Sequence, residues 1–402
     1  MEITPKATTK IKRLIEKGVE IPNPMAIDIG DEVDIDHISG NNVKIYPGCK
    51  IYGEKTVISS GVELGFEAPV TIVDCQLGAH VKLKGGYFYG SIFLEKVNMG
   101  LGAHVREACI LEEEASGAHC VGLKQTILFP FVTLGSLINF CDCFMAGGTS
   151  RRDHSEVGSS YIHFNFTPDG DKATASLIGD VPRGVMLNKP RIFLGGQGGI
   201  VGPVRIGFGN VVAAGSILRR DYLEENKLIT AKSLPNATMD IRPHGYPGFV
   251  RILRNNIIYL ANIICLEEWY INVRQDFLKN LEFGTLLYKG LLDKIYLAKK
   301  ERLKRIKDLA EKVKETKPDL YDNFESLENI FINEKGIRED INELDRFLDG
   351  IYRHRQENDL PYIDFIKGLP EELSREGTIW LDTIIDRIRR KTKEVLPNIN
   401  LF

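Results

Sequence analysis

Between about Asp28 and Leu218, apolar residues return at every sixth position. They run Ile45, Ile51, Val57; Leu77, Leu83, Tyr89; Met99, Val105, Leu111; and Ile200, Ile206, Val212, Leu218. Glycine sits close to many of them, as at Gly48, Gly53, Gly78, Gly100 and Gly207. No helix has a period of six, and the strands of a sandwich alternate with a period of two. Six residues suit one short strand and one corner, and three such units close a triangular turn of a β-helix. The apolar residue then points inward and the small residues turn the corners. The phase breaks at 66–72, 85–92, 112–131 and 146–196, which read as loops leaving the coil.

The flanks follow other rules. Residues 8–17 form an amphipathic pattern with Thr8 or Thr9 as cap and Gly18 as stop, and Ile21-Pro-Asn-Pro24 reads as an extended linker. After Asp221 the repeat fades, and three prolines between Pro235 and Pro247 mark a connector. Phe249, Ile252, Leu253, Asn256, Ile257, Leu260, Ile263 and Ile264 then follow helical spacing. A second helix is expected at about 284–315, and shorter ones near 323–333, 337–356 and 371–395. The expected units are a helix and linker at 1–27, a β-helix at 28–221, a connector at 222–247 and an all-α domain at 248–402.

Composition narrows the function classes. A net charge of −3 gives no sign of a nucleic-acid partner, and the alternating charges at 299–315 read as a solvated helix face. The first residues contain no apolar targeting core, and the most apolar helical stretch, Ile257 to Leu266, is short and interrupted by Asn262. The expectation is a cytoplasmic protein with no membrane partner. Seven cysteines with irregular spacing, of which only Cys141 and Cys143 are close, suit small apolar residues in a reducing compartment. The eight histidines lack the pair five apart that a hexapeptide metalloenzyme needs, so no metal is expected.

Candidate chemistry gathers around 156–180. His163, Phe164, Asn165 and Phe166 precede a Pro-Asp-Gly turn, and Lys172 follows it. A polar, aromatic loop beside a rigid repeat is a common place for a site. Upstream, Arg106 and Lys124 are 18 residues apart, which is one full turn of a hexapeptide coil. Two cations stacked on one face suit a phosphate. The insertion at 147–155 adds Arg151, Arg152, Asp153 and His154.

Val157-Gly-Ser-Ser-Tyr-Ile162, Asn165-Phe166, Lys172, Leu177-Ile-Gly-Asp180, Val201-Gly-Pro-Val204 and Ala213-Ala-Gly215 together resemble one family. It is the C-terminal domain of the bifunctional bacterial N-acetylglucosamine-1-phosphate uridyltransferase / glucosamine-1-phosphate acetyltransferases. Gly117 to Lys124, with Arg106, matches more weakly; the resemblance covers roughly 95–221, and 28–95 only as a repeat type. That family's N-terminal nucleotidyltransferase domain has no counterpart in the residues at hand.

The resemblance implies a mainly β architecture, a left-handed parallel β-helix of hexapeptide repeats followed by the all-α domain, working as a homotrimer with sites between neighbouring coils. It implies an acyltransferase of the UDP-N-acetylglucosamine pathway. The donor would be acetyl-CoA or another acyl-CoA, and the acceptor a sugar phosphate of the glucosamine 1-phosphate type or a nucleotide sugar. By the same resemblance, Arg106, Lys124 and Lys172 hold the sugar phosphate. Asn165, Phe166, Gly196 and Ala214 hold the acyl donor. The Gly-rich run Leu194 to Gly199 either lets a pantetheine arm lie on the backbone or forms two coil corners. The family's general-base histidine falls at Phe140, which accepts no proton. The base must then come from His154, with Asp153 beside it, or from His163. The alternative is a sugar-nucleotide-binding or structural β-helix protein without acyl transfer.

Overall fold

A computed structural model describes residues 8–231, 234–238, 240, 245–246, 248–333, 336–339 and 342–402. Residues 1–7 of the expected N-terminal unit, and Pro243 and Pro247 of the expected connector, lie outside the described residues. The first part of the protein is a left-handed β-helix of three parallel sheets. Sheet I has ten strands from Asp28–Ile29 to Ile217–Leu218, sheet II eight from Val57–Ile58 to Arg205–Ile206, and sheet III ten from Lys44–Ile45 to Leu228–Ile229. The chain runs from sheet I to II to III and back. The inward column of sheet I is Ile29, Ile51, Ile72, Phe88, Val105, Leu123, Phe140, His163, Ile200 and Leu218, all buried. Helix α1 (Thr8–Lys17) closes the first turn, burying Ile11 and Leu14 and bonding Lys10 Nζ to the carbonyls of Gly30, Asp31 and Val33. Such end caps keep a solenoid from exposing its core.

The six-residue phase slips where steps shorten to five. Leu83, Phe88 and Phe93 all point inward, so Tyr89 faces out with 39% of its surface exposed, contrary to the simple repeat. The stretches 85–92 and 112–131 are therefore continuous coil, not excursions. Among the described residues, three longer excursions leave the coil. They are a hairpin pairing Gly148–Ser150 with Asp153–His154, the loop 165–175, and the segment 180–192 carrying α2 (Val181–Gly184).

The helical part comprises α3 (Phe249–Trp269), a π turn at Tyr270–Arg274, α4 (Gln275–Leu278), α5 (Gly284–Val313), α6 (Pro318–Asp322), α7 (Phe324–Ile332), α8 (Asn342–Glu357), α9 (Tyr362–Lys367) and α10 (Glu371–Val395). Phe249–Leu278 is one helix of 30 residues, long and apolar enough by composition to cross a membrane, and most of it is buried within this protein. The apolar helical stretch is thus longer than Ile257 to Leu266. Its asparagines join it to the coil. Asn262 Oδ1 accepts from the Val181 N–H at 2.8 Å, Asn256 Nδ2 donates to the Ala173 carbonyl at 2.9 Å, and Asn255 Nδ2 donates to Asp221 at 2.8 Å.

Helices α3 and α5 lie on the outer face of sheet II. That face is apolar except at Gln76: Val57, Ile92, Ile110, Ile127 and Leu177 point outward and are buried. Each such side chain taken from water stabilises the docking by about 1.5–3 kcal/mol. The corresponding positions of sheet III include Lys44, Glu63, Lys82 and Glu156, which are exposed or half-buried.

One polar cluster is buried in this joint. The Tyr270 hydroxyl donates to Glu112 at 2.5 Å, Arg274 pairs with Glu113, and the Arg274 guanidinium lies 3.6 Å from the centre of the Tyr362 ring. Two carboxylates share one guanidinium in a dry site. Burial pushes the Glu112 carboxyl up to about 7, with Arg274 opposing and Glu113 adding to the rise. The folded protein then holds this proton more tightly than the unfolded chain. Its contribution is present below about pH 4.5 and lost as pH rises through about 7, a loss of up to roughly 3 kcal/mol. Stability from urea unfolding should fall between pH 5 and 8, and Glu112→Gln should flatten that fall. An unchanged slope in the variant would assign the effect to other groups.

Candidate functional site

Side chains on the outer face of sheet I alternate with the inward column. Strand register sets two outward columns side by side. The first is Tyr87, His104, Gly122, Asn139 and Ile162; the second places Arg106 next to Lys124 and Lys124 next to Cys141. Gly122 leaves a gap in the first column, since a Cβ there would come no nearer than 3.7 Å to another atom, Asn139 Oδ1. The gap is a groove of about 480 Å³ lined by His104, Arg106, Cys120, Asn139 and the neighbouring backbone. His104 is exposed, and the Tyr87 ring meets it edge to face at 5.3 Å.

The two expected phosphate cations differ in state. Lys124 Nζ is held by Glu107 at 2.8 Å. Burial raises the Glu107 carboxyl, but the hydrogen bond and charge of Lys124 outweigh it and leave that group below the ordinary carboxylate range. Arg106 is exposed, bonds the Cys141 thiol at the corner between sheets I and II, and its charge also acts on Glu107. Its planar fork remains open to an oxyanion.

The next corner residue is Asp142, with a left-handed backbone (φ 59°) that Asp tolerates well. Its carboxylate meets Arg302 of α5 at 2.6 Å, and the two side chains are only 7% and 2% exposed. Above it, the loop 165–175 is pinned through Asp171, which accepts from Thr167 Oγ1 and the Tyr246 hydroxyl at 2.8 and 2.7 Å. Phe166 at the start of this loop is 73% exposed. Asn165 is half-buried, and Lys172 is exposed.

Several expected site residues lie elsewhere. Phe140 points into the coil, fully buried, with its ring against Tyr161 at 6.2 Å. No side chain at that position reaches the groove without turning the strand over, so the absent base is not explained by Phe140. His163 takes the next inward slot, 2% exposed, and shares a 2.8 Å hydrogen bond with Ser176 Oγ. Burial pushes this imidazole down to about 3, with Arg302 adding to the shift, so it stays neutral inside the coil. His154 sits at the corner between sheets II and III. Its Nδ1 lies 2.9 Å from the Arg151 carbonyl, and Arg151 itself donates to the carbonyls of Glu114 and Phe131. That corner faces away from sheet I, so within one coil neither histidine reaches the groove.

Gly196 and Ala214 occupy the corner between sheets III and I. A Cβ on Gly158 would come within 2.4 Å of the Gly196 nitrogen, so these glycines are needed for stacked corners. They lie about three rungs above the groove, or roughly 14 Å at the spacing of parallel strands. One coil does not bring them to Arg106. His104 and Asn139, by contrast, do line the groove, although the motifs of the sequence do not mark them. A signal is present, since His104 stands two residues before Arg106 and alternation puts both on one face.

No family model matches the chain. It is 30% identical over 213 residues to the bifunctional protein GlmU of Thermotoga maritima, covering 53% of this chain and 42% of that protein. It is 27% identical over 224 residues to GlmU of Carboxydothermus hydrogenoformans, covering 56% of this chain and 44% of that one. The chain thus spans less than half the length of these curated relatives. Among solved structures, LpxA of Acinetobacter baumannii aligns over 68% of this chain and 95% of its own, at 12% identity and a TM-score of 0.15.

Proposed function

We propose that this hexapeptide-repeat acyltransferase domain, which resembles the C-terminal part of GlmU, transfers an acyl group from a CoA thioester to a sugar phosphate or nucleotide sugar in the groove of sheet I. The observation that carries the reading is the convergence of His104, Arg106 and Asn139 on the space opened by Gly122. Arg106 holds the acceptor's phosphate, with Lys124 beside it. The acceptor amine or hydroxyl attacks the thioester carbonyl, and the His104 imidazole takes its proton. The Asn139 amide stands beside the reacting carbon, where its N–H stabilises the oxyanion. Collapse of the tetrahedral intermediate expels the CoA thiolate, which recovers the proton.

A single coil leaves the groove shallow. Tyr87, Leu101, Leu137, Ile162, Phe164 and Phe166 are exposed around it. A neighbouring copy in a homotrimer would cover these side chains and bring its own Asn165, Phe166, Gly196 and Ala214 towards the donor. The direct test is thiol release from acetyl-CoA and longer acyl-CoAs with glucosamine 1-phosphate and UDP-sugars as acceptors. One thiol released per acylated product supports the reading. Binding of a UDP-sugar without thiol release from any donor would favour a binding protein and sink the transferase.

A further inference from the structure

The outward column of sheet II is apolar from Val57 to Leu177 except at Gln76, and then ends in Arg205. There α3 and α10 stand away from the coil and leave a cleft of about 800 Å³. Four arginines line it, Arg183, Arg205, Arg254 and Arg389. Most charges in the cleft are already engaged. Arg183 Nε and Nη2 donate to Asp180 at 2.8 and 2.5 Å and Nη1 reaches Glu225, while Arg389 pairs with Asp386 at 3.1 Å. Asp221 accepts from Asn255 at 2.8 Å and from the Arg205 backbone N–H at 3.1 Å.

Two guanidiniums are left over. That of Arg205 has no hydrogen-bond or ion-pair partner among the described residues. Arg254 touches Asp221 only at 3.8 Å, and its buried Nε is unpartnered. Burial disfavours the Arg205 charge, Asp221 offsets part of that, and repulsion from Arg254 and Arg389 adds to it, so the guanidinium stays below its ordinary range. The carboxylates of the cleft, Asp180 and Asp386, are engaged by Arg183 and Arg389, so Arg205 and Arg254 keep free donors, and planar forks with free donors fit phosphate. Asp382 of α10, also in the lining, makes no hydrogen bond or ion pair among the described residues; burial and the nearby Asp180 and Asp386 push its carboxyl up to about 6, with Arg183 opposing. The cleft is far larger than a bare phosphate and falls in the range of small-molecule sites, roughly 300–1,000 Å³.

We infer that this cleft between coil and helices binds a phosphorylated small molecule with hydroxyl groups, its phosphate on Arg205 and Arg254 and a hydroxyl on Asp382. The site lies on sheet II and shares no residue with the groove of sheet I. It is independent of the acyl-transfer reading.

Calorimetric titration of the full chain tests it, using the double variant Arg106→Ala, Lys124→Ala as background so that both phosphate-facing cations of the sheet I groove are removed. The probes are glucose 1-phosphate, inorganic phosphate and glucose. Glucose 1-phosphate should bind more tightly than phosphate, and glucose should give no heat. Arg205→Gln and Arg254→Gln should each weaken glucose 1-phosphate by about tenfold or more. Asp382→Asn should weaken glucose 1-phosphate and leave phosphate unchanged, which no general loss of structure would do. No binding of either phosphate compound, or equal affinity in Arg205→Gln, overturns the site. Equal binding of both compounds in wild type and Asp382→Asn overturns the sugar-phosphate assignment.

Discussion

Replacing Arg302 by methionine should destabilise the protein by about 3–5 kcal/mol, the usual cost of leaving a buried charge unpaired. Its partner Asp142 is nearly inaccessible, and burial already raises that carboxyl while Arg302 opposes the rise. Without the guanidinium the carboxylate has no ion-pair partner to offset burial, and it must either protonate or open the joint. The double variant Arg302→Met, Asp142→Asn should recover much of the loss, because both desolvation costs disappear together. Both tryptophans, Trp269 and Trp380, are in the helical part, so fluorescence during urea unfolding follows the helices. Circular dichroism at about 218 nm follows the coil as well. If single and double variants lose equal stability, Asp142 and Arg302 do not act as a pair.

The same contact ties the helices to the groove. The Asp142 N–H donates to the Lys124 carbonyl at 3.0 Å, a bond of the coil's own ladder at this corner. The corner held by α5 is therefore one rung from the residues that face the phosphate. Loosening α5 should also disturb the strand that carries Lys124.

The repeat makes the coil readable in the sequence, because inward side chains must be apolar at a fixed spacing. The five-residue steps are not readable in the same way. Phe88 and Tyr89 are both large and apolar enough for the core, and only pairing with Val105 decides which one turns in. The docking face is written in the chain as well: Ile92, Ile110 and Ile127 precede inward residues at positions where sheet III carries Asn98, Ser116 and Thr133. Asn255, Asn256 and Asn262 look like breaks in an apolar helix, and their role shows only when the coil supplies partners. The expected bases fail for a related reason. Proximity in sequence to Asn165 or Phe140 says nothing about which of three corners a residue occupies. His154 falls on the wrong corner, and His163 on the wrong side of the strand.

His104→Ala should lower the turnover of acyl transfer by about 10²–10⁴-fold, the range of a lost general base, while the affinity for the acceptor changes little. The side chain is exposed on a strand whose inward neighbours Ala103 and Val105 stay in place, so the fold should be unaffected. Arg106→Ala should show the opposite split, a raised acceptor KM with a smaller effect on kcat, because its fork binds phosphate before and during the reaction. Arg106→Lys should restore only part of that affinity, since a point charge does not replace the fork. Steady-state thiol release with the acceptor varied measures both constants for each variant. His154→Ala and His163→Ala serve as contrasts: the first should leave kcat unchanged, and the second should change stability before activity, because its imidazole packs between Phe140 and Ile200 inside the coil. Full turnover in His104→Ala would move the proton acceptor out of this groove, and with it the acyl-transfer chemistry assigned to sheet I.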